Sequence, residues 1–232
     1  METLEIGVVI VAAGSGKRMG GTLPKQFAII AGKPILAHTI NAFAKALPTA
    51  KIVVVLAKEY IEFWQNLAKR FDVAPHSITE GGAERFHSVR LGINSLPGGL
   101  DLIAIQDGVR PFASAELINR GVECAAKHKA AIPVIAAVDS FRCMVAENRS
   151  EIIDRSNLRI VQTPQIFDAS TLLSAYDMPF DPAFTDDASV VERFGCNITL
   201  YDGEPTNIKI TTPNDMLIAE AYFRKATERD DE

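Results

Sequence analysis

The chain has 232 residues and 47% hydrophobic content, enough for one large α/β domain or two small ones with a substantial core. Its net charge of −5 argues against a general nucleic-acid binder, whose footprint would be basic, so local cations in it point to a confined anionic ligand. Three scattered cysteines (Cys124, Cys143, Cys196) without a C-x-x-C argue against a disulfide framework or a zinc site and for a reducing, cytoplasmic setting. The acidic start Met1–Glu5 is unlike a signal peptide, and no apolar run approaches the ~20 residues of a membrane span.

The first element, Ile6 to Ala13, is a Val- and Ile-rich run of strand length, the pattern of a central strand covered on both faces. It breaks into Gly14, Gly16, Gly20 and Gly21 with Lys17, Arg18 and Lys25 among them. Glycines bare the backbone N–H groups and the cations add positive charge, which together make a polyphosphate cradle. The dinucleotide fingerprint fails here because Met19 stands where its third glycine should be. The Walker A pattern fails because Arg18 follows Gly16-Lys17. Pro24-Lys25 keeps the chain extended, so the loop is expected to cover its ligand from Gly14 to Gln26.

Helices are expected over Ile35 to Ala46 and Glu59 to Phe71, the second with Tyr60, Phe63, Trp64 and Leu67 on its core side. Between them, Ile52 to Leu56 reads as a second buried strand. Strand and helix alternating through short connections imply a parallel sheet with right-handed crossovers. A short strand, Ser77 to Thr79, runs into Gly81-Gly82, either a plain turn or a close approach to ligand at a strand's carboxyl end. A helix follows from about Glu84 to Ser95. Leu102 to Gln106 is the next strand, and it ends at Asp107, placed to hold a divalent cation or a ribose hydroxyl, or else to cap the following segment. Arg110 could pair with Asp107 or reach a second phosphate.

After a helix at Ala115 to Lys127 and a strand at Ala131 to Val138 the pattern changes. Residues 139–158 hold two short extended pieces around Glu147–Ser150, a β-hairpin too small to be stable alone. It should project as an arm and pack on a second subunit; Arg155 on it is a solvated charge unless a site lies nearby. A strand from Leu158 returns to the body with Thr163-Pro164-Gln165 at its end. A helix at Ala169 to Tyr176 precedes a second one capped by Thr185 or Asp186. Strands are expected at Asn197 to Tyr201 and Asn207 to Thr211, with Lys209 on the polar face of the latter. Pro213 opens the closing helix. No Ser–His–Asp set and no zinc-ligand pair is recognisable. Many cations with one strand-end carboxylate suit transfer at phosphorus, where the substrate brings its own nucleophile.

The motifs A-A-G-S-G-K-R-M (Ala12 to Met19), P-K-Q (Pro24 to Gln26), G-G-A-E-R-x-x-S (Gly81 to Ser88), D-G-V-R-P (Asp107 to Pro111), D-R (Asp154, Arg155), T-P-Q (Thr163 to Gln165), T-D-D-A-S (Thr185 to Ser189) and N-I-K-I-T (Asn207 to Thr211) follow one another in this order. In that order they resemble the 2-C-methyl-D-erythritol 4-phosphate cytidylyltransferases, across nearly the whole chain. The resemblance implies an α/β fold: a single Rossmann-like nucleotidyltransferase domain over 1–232, its mainly parallel central sheet flanked by helices, with 139–158 as a projecting β-hairpin arm for homodimerisation. It implies the partners CTP, with Mg²⁺ or another divalent cation, and methylerythritol phosphate, and neither nucleic acid nor membrane. Arg18, Lys25, Arg155 and Lys209 match the family's catalytic cations, the first two serving the transition state and the leaving pyrophosphate, the last two the attacking substrate. Ala12, Ala13, Gly14, Ser15 and Gly16 with Gly81, Gly82, Ala83, Arg85, Ser88 and Asp107 match its CTP and metal positions. Asp107, Arg110, Ser140, Arg155, Thr163, Thr185 and Lys209 match its substrate side, with Arg155 acting in the partner's site.

Departures are few: Ala83 stands where some relatives carry aspartate, D-G-V-R-P replaces D-A-A-R-P, and Ser140 replaces threonine. Rival readings are a ribitol 5-phosphate cytidylyltransferase, an NAD-dependent oxidoreductase, and a non-catalytic nucleotide-binding regulator. The late glycine and the cations within the loop argue against the oxidoreductase.

Overall fold

A computed structural model describes residues 4–14 and 23–230. The chain begins with strand β1 (Ile6–Val11), a short ribbon of β2 (Ile29–Ile30) and β3 (Lys33–Pro34), and helix α1 (Ile35–Ala46). It continues with β4 (Lys51–Leu56), α2 (Ile61–Arg70), β5 (Ser77–Glu80), α3 (Arg85–Asn94), β6 (Leu102–Asp107), α4 (Ala115–His128) and β7 (Ala130–Ala136). Then come the hairpin β8 (Phe141–Ala146) and β9 (Arg149–Ile153), β10 (Arg159–Val161), β11 (Gln165–Asp168), α5 (Ala169–Tyr176), α6 (Asp187–Phe194), β12 (Thr199–Asp202) and α7 (Pro213–Asp230).

The main sheet has the order β10-β7-β11-β6-β1-β4-β5, with β12 added to β7. Pairing is parallel among β6, β1, β4 and β5 and between β7 and β12; β11 and β10 run antiparallel to their neighbours. The alternation of side chains along each strand sorts the core into two layers. Val8, Ile10 and Val54 face α1, α2 and α4, whereas Val9, Val55, Ile103 and Ile105 face α3, α5 and α6. Two covered faces explain why these strands read as continuous apolar runs. Among the described residues no helix is long and apolar enough to cross a membrane.

The chain leaves β1 toward β4 and β5, then returns to lay β6 on the other side of β1. That reversal is the switch point at which open α/β sheets form a crevice beyond their carboxyl ends. Register aligns those ends: Val11 sits beside Asp107, and Leu56 beside Glu80. The segments after β1, β5 and β6 therefore emerge together.

Two expected strands differ. The run from Leu158 is two strands, β10 and β11, separated by the cis Thr163–Pro164 peptide, so Thr163 lies between strands and not at the end of one. Asn207 to Thr211 forms no ladder. Its hydrogen-bonding groups go elsewhere: the Asn207 carbonyl accepts from Arg110 and Gln162, its side chain donates to the Thr163 carbonyl, and Ile210 N–H donates to Val109. The alternation survives, with Ile210 buried and Lys209 half-exposed. Asp186 is the cap of α6, in a capping box with Ser189.

Gly92 of α3 shows how tightly helix meets sheet. A Cβ there would fall inside contact with Val9 and lie 2.8 Å from Val55 Cγ2, both core side chains of the strands beneath. Gly92→Ala gains helix propensity but overpacks this interface, so a net loss of about 1–2 kcal/mol is expected from urea unfolding.

Candidate active site

At the switch point lies a cavity of about 400 Å³. Its walls come from the end of β1 (Val11 to Gly14), from Lys25 and Gln26, from Gly82 to Arg85 and Ser88, from Asp107 and Val109, and from Lys209. Of the residues singled out in the sequence, Ala12, Ala13, Gly14, Lys25, Gly82, Ala83, Arg85, Ser88, Asp107 and Lys209 thus share one cleft. Ser15, Gly16 and Arg18 lie outside the described residues.

Each wall is held by its own bonds. The buried Gln26 amide donates to the carbonyls of Ala12 (2.6 Å) and Gly14 (3.2 Å), which fixes the backbone as it leaves β1. Gln26 was visible only as the third residue of P-K-Q; nothing in the sequence marked it as the tie. Ser88, on the first turn of α3, accepts from Gly82 N–H at 3.1 Å and so folds the Gly-Gly turn onto its own helix. Gly81 admits the close approach of Ala13, whose Cβ would lie 2.5 Å from a Cβ at that position. Its N–H donates to the Leu56 carbonyl. The turn is therefore built for packing, and its Gly82 also lines the cavity.

Asp107 is the electrostatic centre. Lys209 Nζ lies 3.0 Å and Arg110 Nε 3.2 Å from its Oδ2, and Arg85 lies 3.9 Å from its Oδ1. Burial alone would push the Asp107 carboxyl up; Lys209, Arg85 and Arg110 outweigh it and hold the group at about 2. Of the two roles open to Arg110, pairing with Asp107 is the one observed. It lies buried beneath the cleft, and its guanidinium also donates to the Asn207 carbonyl. Burial lowers Arg110, and Asp107 opposes that. Thr163 is likewise below the floor, its hydroxyl accepting from Asp107 N–H at 3.1 Å.

The remaining residues stand apart from the cavity of a single chain. Ser140 and Arg155 are exposed at the root of the β8–β9 arm, where Arg155 donates to the Val138 carbonyl. Thr185 is exposed before α6, its N–H bound to Ser189. Sequence reading missed Asp187, which appeared only inside the T-D-D-A-S motif. It is fully buried and takes Arg85 in a two-pronged pair at 2.8 and 2.6 Å.

Among the described residues, no histidine or cysteine lines the cleft. What it offers is position and positive charge around a buried carboxylate at the carboxyl ends of the central strands, the working plan of an α/β nucleotidyltransferase. The comparisons make this particular. The family model for 2-C-methyl-D-erythritol 4-phosphate cytidylyltransferase matches residues 6–225, and the chain belongs to that family. A cytidylyltransferase of this name from Bacteroides fragilis is 47% identical over 217 residues, covering 93% of this chain and 98% of its own length. The crystal structure of a 4-diphosphocytidyl-2C-methyl-D-erythritol synthase from Anaerococcus prevotii superposes with a TM-score of 0.81 at 28% identity, covering 95% of this chain and 96% of that one. The Thermus thermophilus cytidylyltransferase gives 0.75 at 30% identity, covering 95% of this chain and 100% of the other.

The Asp107 cluster has a pH signature. A carboxyl held at about 2 in the fold, against 3.8 ordinarily, adds stability that is fully present above pH 3.8 and lost as pH falls through 2. The contribution is on the order of 2 kcal/mol. Asp107→Asn should flatten the acid limb of stability between these values, measured by denaturant unfolding across a pH series.

Proposed function

We propose that the chain transfers the cytidylyl group of CTP to 2-C-methyl-D-erythritol 4-phosphate, giving the CDP-alcohol of the non-mevalonate isoprenoid route and pyrophosphate. The observation that carries this reading is the convergence of Lys25, Lys209 and Asp107 with the Gly82–Ser88 turn in one cavity at the switch point. The base lies against Gly82, Ala83 and Ser88, where Ala83 leaves backbone groups as the available contacts. The triphosphate runs along the backbone of Ala12 to Gly14 toward Lys25. A phosphate oxygen of the alcohol phosphate attacks the α-phosphorus in line; the new O–P bond forms as the bond to the β-phosphate breaks, and pyrophosphate carries away the electron pair. Position and charge supply the catalysis. Lys25 and Arg18 meet the charge on the transition state and the leaving group, while Lys209 orients the attacking phosphate. Arg110 and Thr163 act from below by fixing Asp107.

The donor set suits Mg²⁺ brought in with the triphosphate. Among the described residues no group of three metal-ligating side chains exists, and Mg²⁺ commonly takes one or two carboxylates and completes its shell with phosphates and water. Asp107 would hold it, and the ion would neutralise phosphate charge. Lys209 lies 3.0 Å from the same carboxylate.

The arm supports a homodimer. Met144 and Ile152 of the hairpin are 63% and 79% exposed, an apolar surface that a two-stranded ribbon cannot bury by itself. A second copy covers it in this reading, and Arg155, Ser140 and Thr185 complete the alcohol-phosphate side of the site. Three unpaired cysteines fit a cytoplasmic enzyme.

Pyrophosphate release from CTP should occur with methylerythritol phosphate and fall to background with ribitol 5-phosphate; the reverse preference, or CTP binding without release, overturns the assignment. Lys25→Ala should cut turnover by about 10²–10³, the range for one transition-state donor. Arg155→Ala should impair use of the alcohol phosphate more than CTP binding. Mixing these two variants through unfolding and reassembly should restore about a quarter of wild-type activity, because half the dimers are mixed and each carries one intact site. No recovery would rule out a site shared between subunits.

A further inference from the structure

Asp187 is a costly residue to bury. It has no exposure, sits at the start of α6, and binds Arg85 through both oxygens, with Oδ1 also accepting the Tyr176 hydroxyl at 2.6 Å. Burying such a pair does little for stability by itself, because desolvation offsets the attraction. Its surroundings nonetheless fix it firmly. Gln165 of β11 donates to Asp186 and accepts from Ala188 N–H, pinning the start of α6 to the sheet. Tyr176 is itself buried, stacked on Phe86 at 4.8 Å. The fixed carboxylate thus grips an arginine whose side chain is one-third exposed into the cleft and whose other neighbour is Asp107, at 3.9 Å.

We infer that Asp187, backed by the Tyr176 hydroxyl, is a positioning residue that sets Arg85 in the nucleotide half of the cleft and withholds it from Asp107. Two carboxylates compete for one guanidinium, and the geometry gives it to Asp187. With Asp187 neutralised, Asp107 is the remaining carboxylate within reach, and Arg85 closes onto it. That movement removes a cation from the nucleotide wall and covers the carboxylate that the ribose or metal needs. The inference rests on the nucleotide reading of the cleft.

Calorimetric titration of CTP with magnesium chloride into the full chain tests it. Asp187→Asn keeps shape but sets an amide N–H₂ against the arginine fork, and should weaken CTP binding about tenfold or more, the scale of a charged hydrogen bond. Tyr176→Phe should weaken it in the same direction by less. The KM for the alcohol phosphate should change less than the affinity for CTP, since of its cations only Lys209 touches Asp107, whereas Arg155 stands apart on the arm. In an Arg85→Ala background both effects on CTP binding should vanish, because two changes acting through one group do not add. CTP binding unchanged in Asp187→Asn, in Tyr176→Phe or in Arg85→Ala overturns the inference, as does full additivity in the double variants. If Asp187→Asn fails to fold, Tyr176→Phe alone and with Arg85→Ala decides. A wild-type chain that does not bind CTP overturns the nucleotide reading instead.

Discussion

One buried carboxylate organises the cleft. Asp107 ends the central strand β6, and the cations around it come from three distant parts of the chain: Arg85 from α3, Arg110 from the turn after β6, and Lys209 from the segment before α7. Without it Arg110 and Lys209 would face one another with no carboxylate between them. Removing a carboxylate from water costs several kcal/mol, which only such partners offset. The cluster therefore ties the segment after β12 to the sheet edge and leaves a surplus of positive charge facing the cleft. A site of this kind is made for an anion that arrives from outside.

The same cluster explains which parts of the molecule could be read from sequence. Helices α1 and α5 coincide with the expected Ile35 to Ala46 and Ala169 to Tyr176, because local periodicity decides elements whose one face meets a sheet. The strands β1, β4 and β6 were legible because burial on both faces leaves an uninterrupted apolar run. Asn207 to Thr211 misled for a physical reason. Alternation of Ile208, Lys209 and Ile210 reports which side chains face inward and says nothing of where the backbone groups bond. Here they bond to Arg110, Gln162 and Val109, partners fixed only by tertiary contact.

Within the site, legibility followed charge and glycine. Asp107 stood out as a carboxylate at a strand end, Lys25 as a cation in the glycine loop, and the Gly81-Gly82 turn as a break after a strand. Lys209 read as the polar-face residue of a strand and was marked only by the family motif. Gln26 and Asp187 did not stand out. Gln26 is neutral and works through its neighbours' carbonyls; Asp187 resembles any acidic residue in a first helical turn, which stabilises a helix by its charge alone. Only the fold discloses that its carboxylate points inward to Arg85. The spacing of 102 residues between these two leaves no local trace.

The cleft is unevenly finished within one chain, and the unevenness follows from how its parts are held. The wall formed by the β1 end, the Gly82 turn and Arg85 is closed by bonds within the chain: Gln26 to the strand end, Ser88 to its own turn, Asp187 to Arg85. These groups belong to, or lie beside, elements packed on the sheet. Arg155 and Ser140 belong to a ribbon with apolar side chains turned to solvent and no core of its own. In the dimer proposed for this chain, covering that ribbon and completing the alcohol-phosphate side are one event. The free energy that fixes the arm's arginine then comes from burial of Met144 and Ile152 in the partner, and the guanidinium itself remains available for the substrate phosphate.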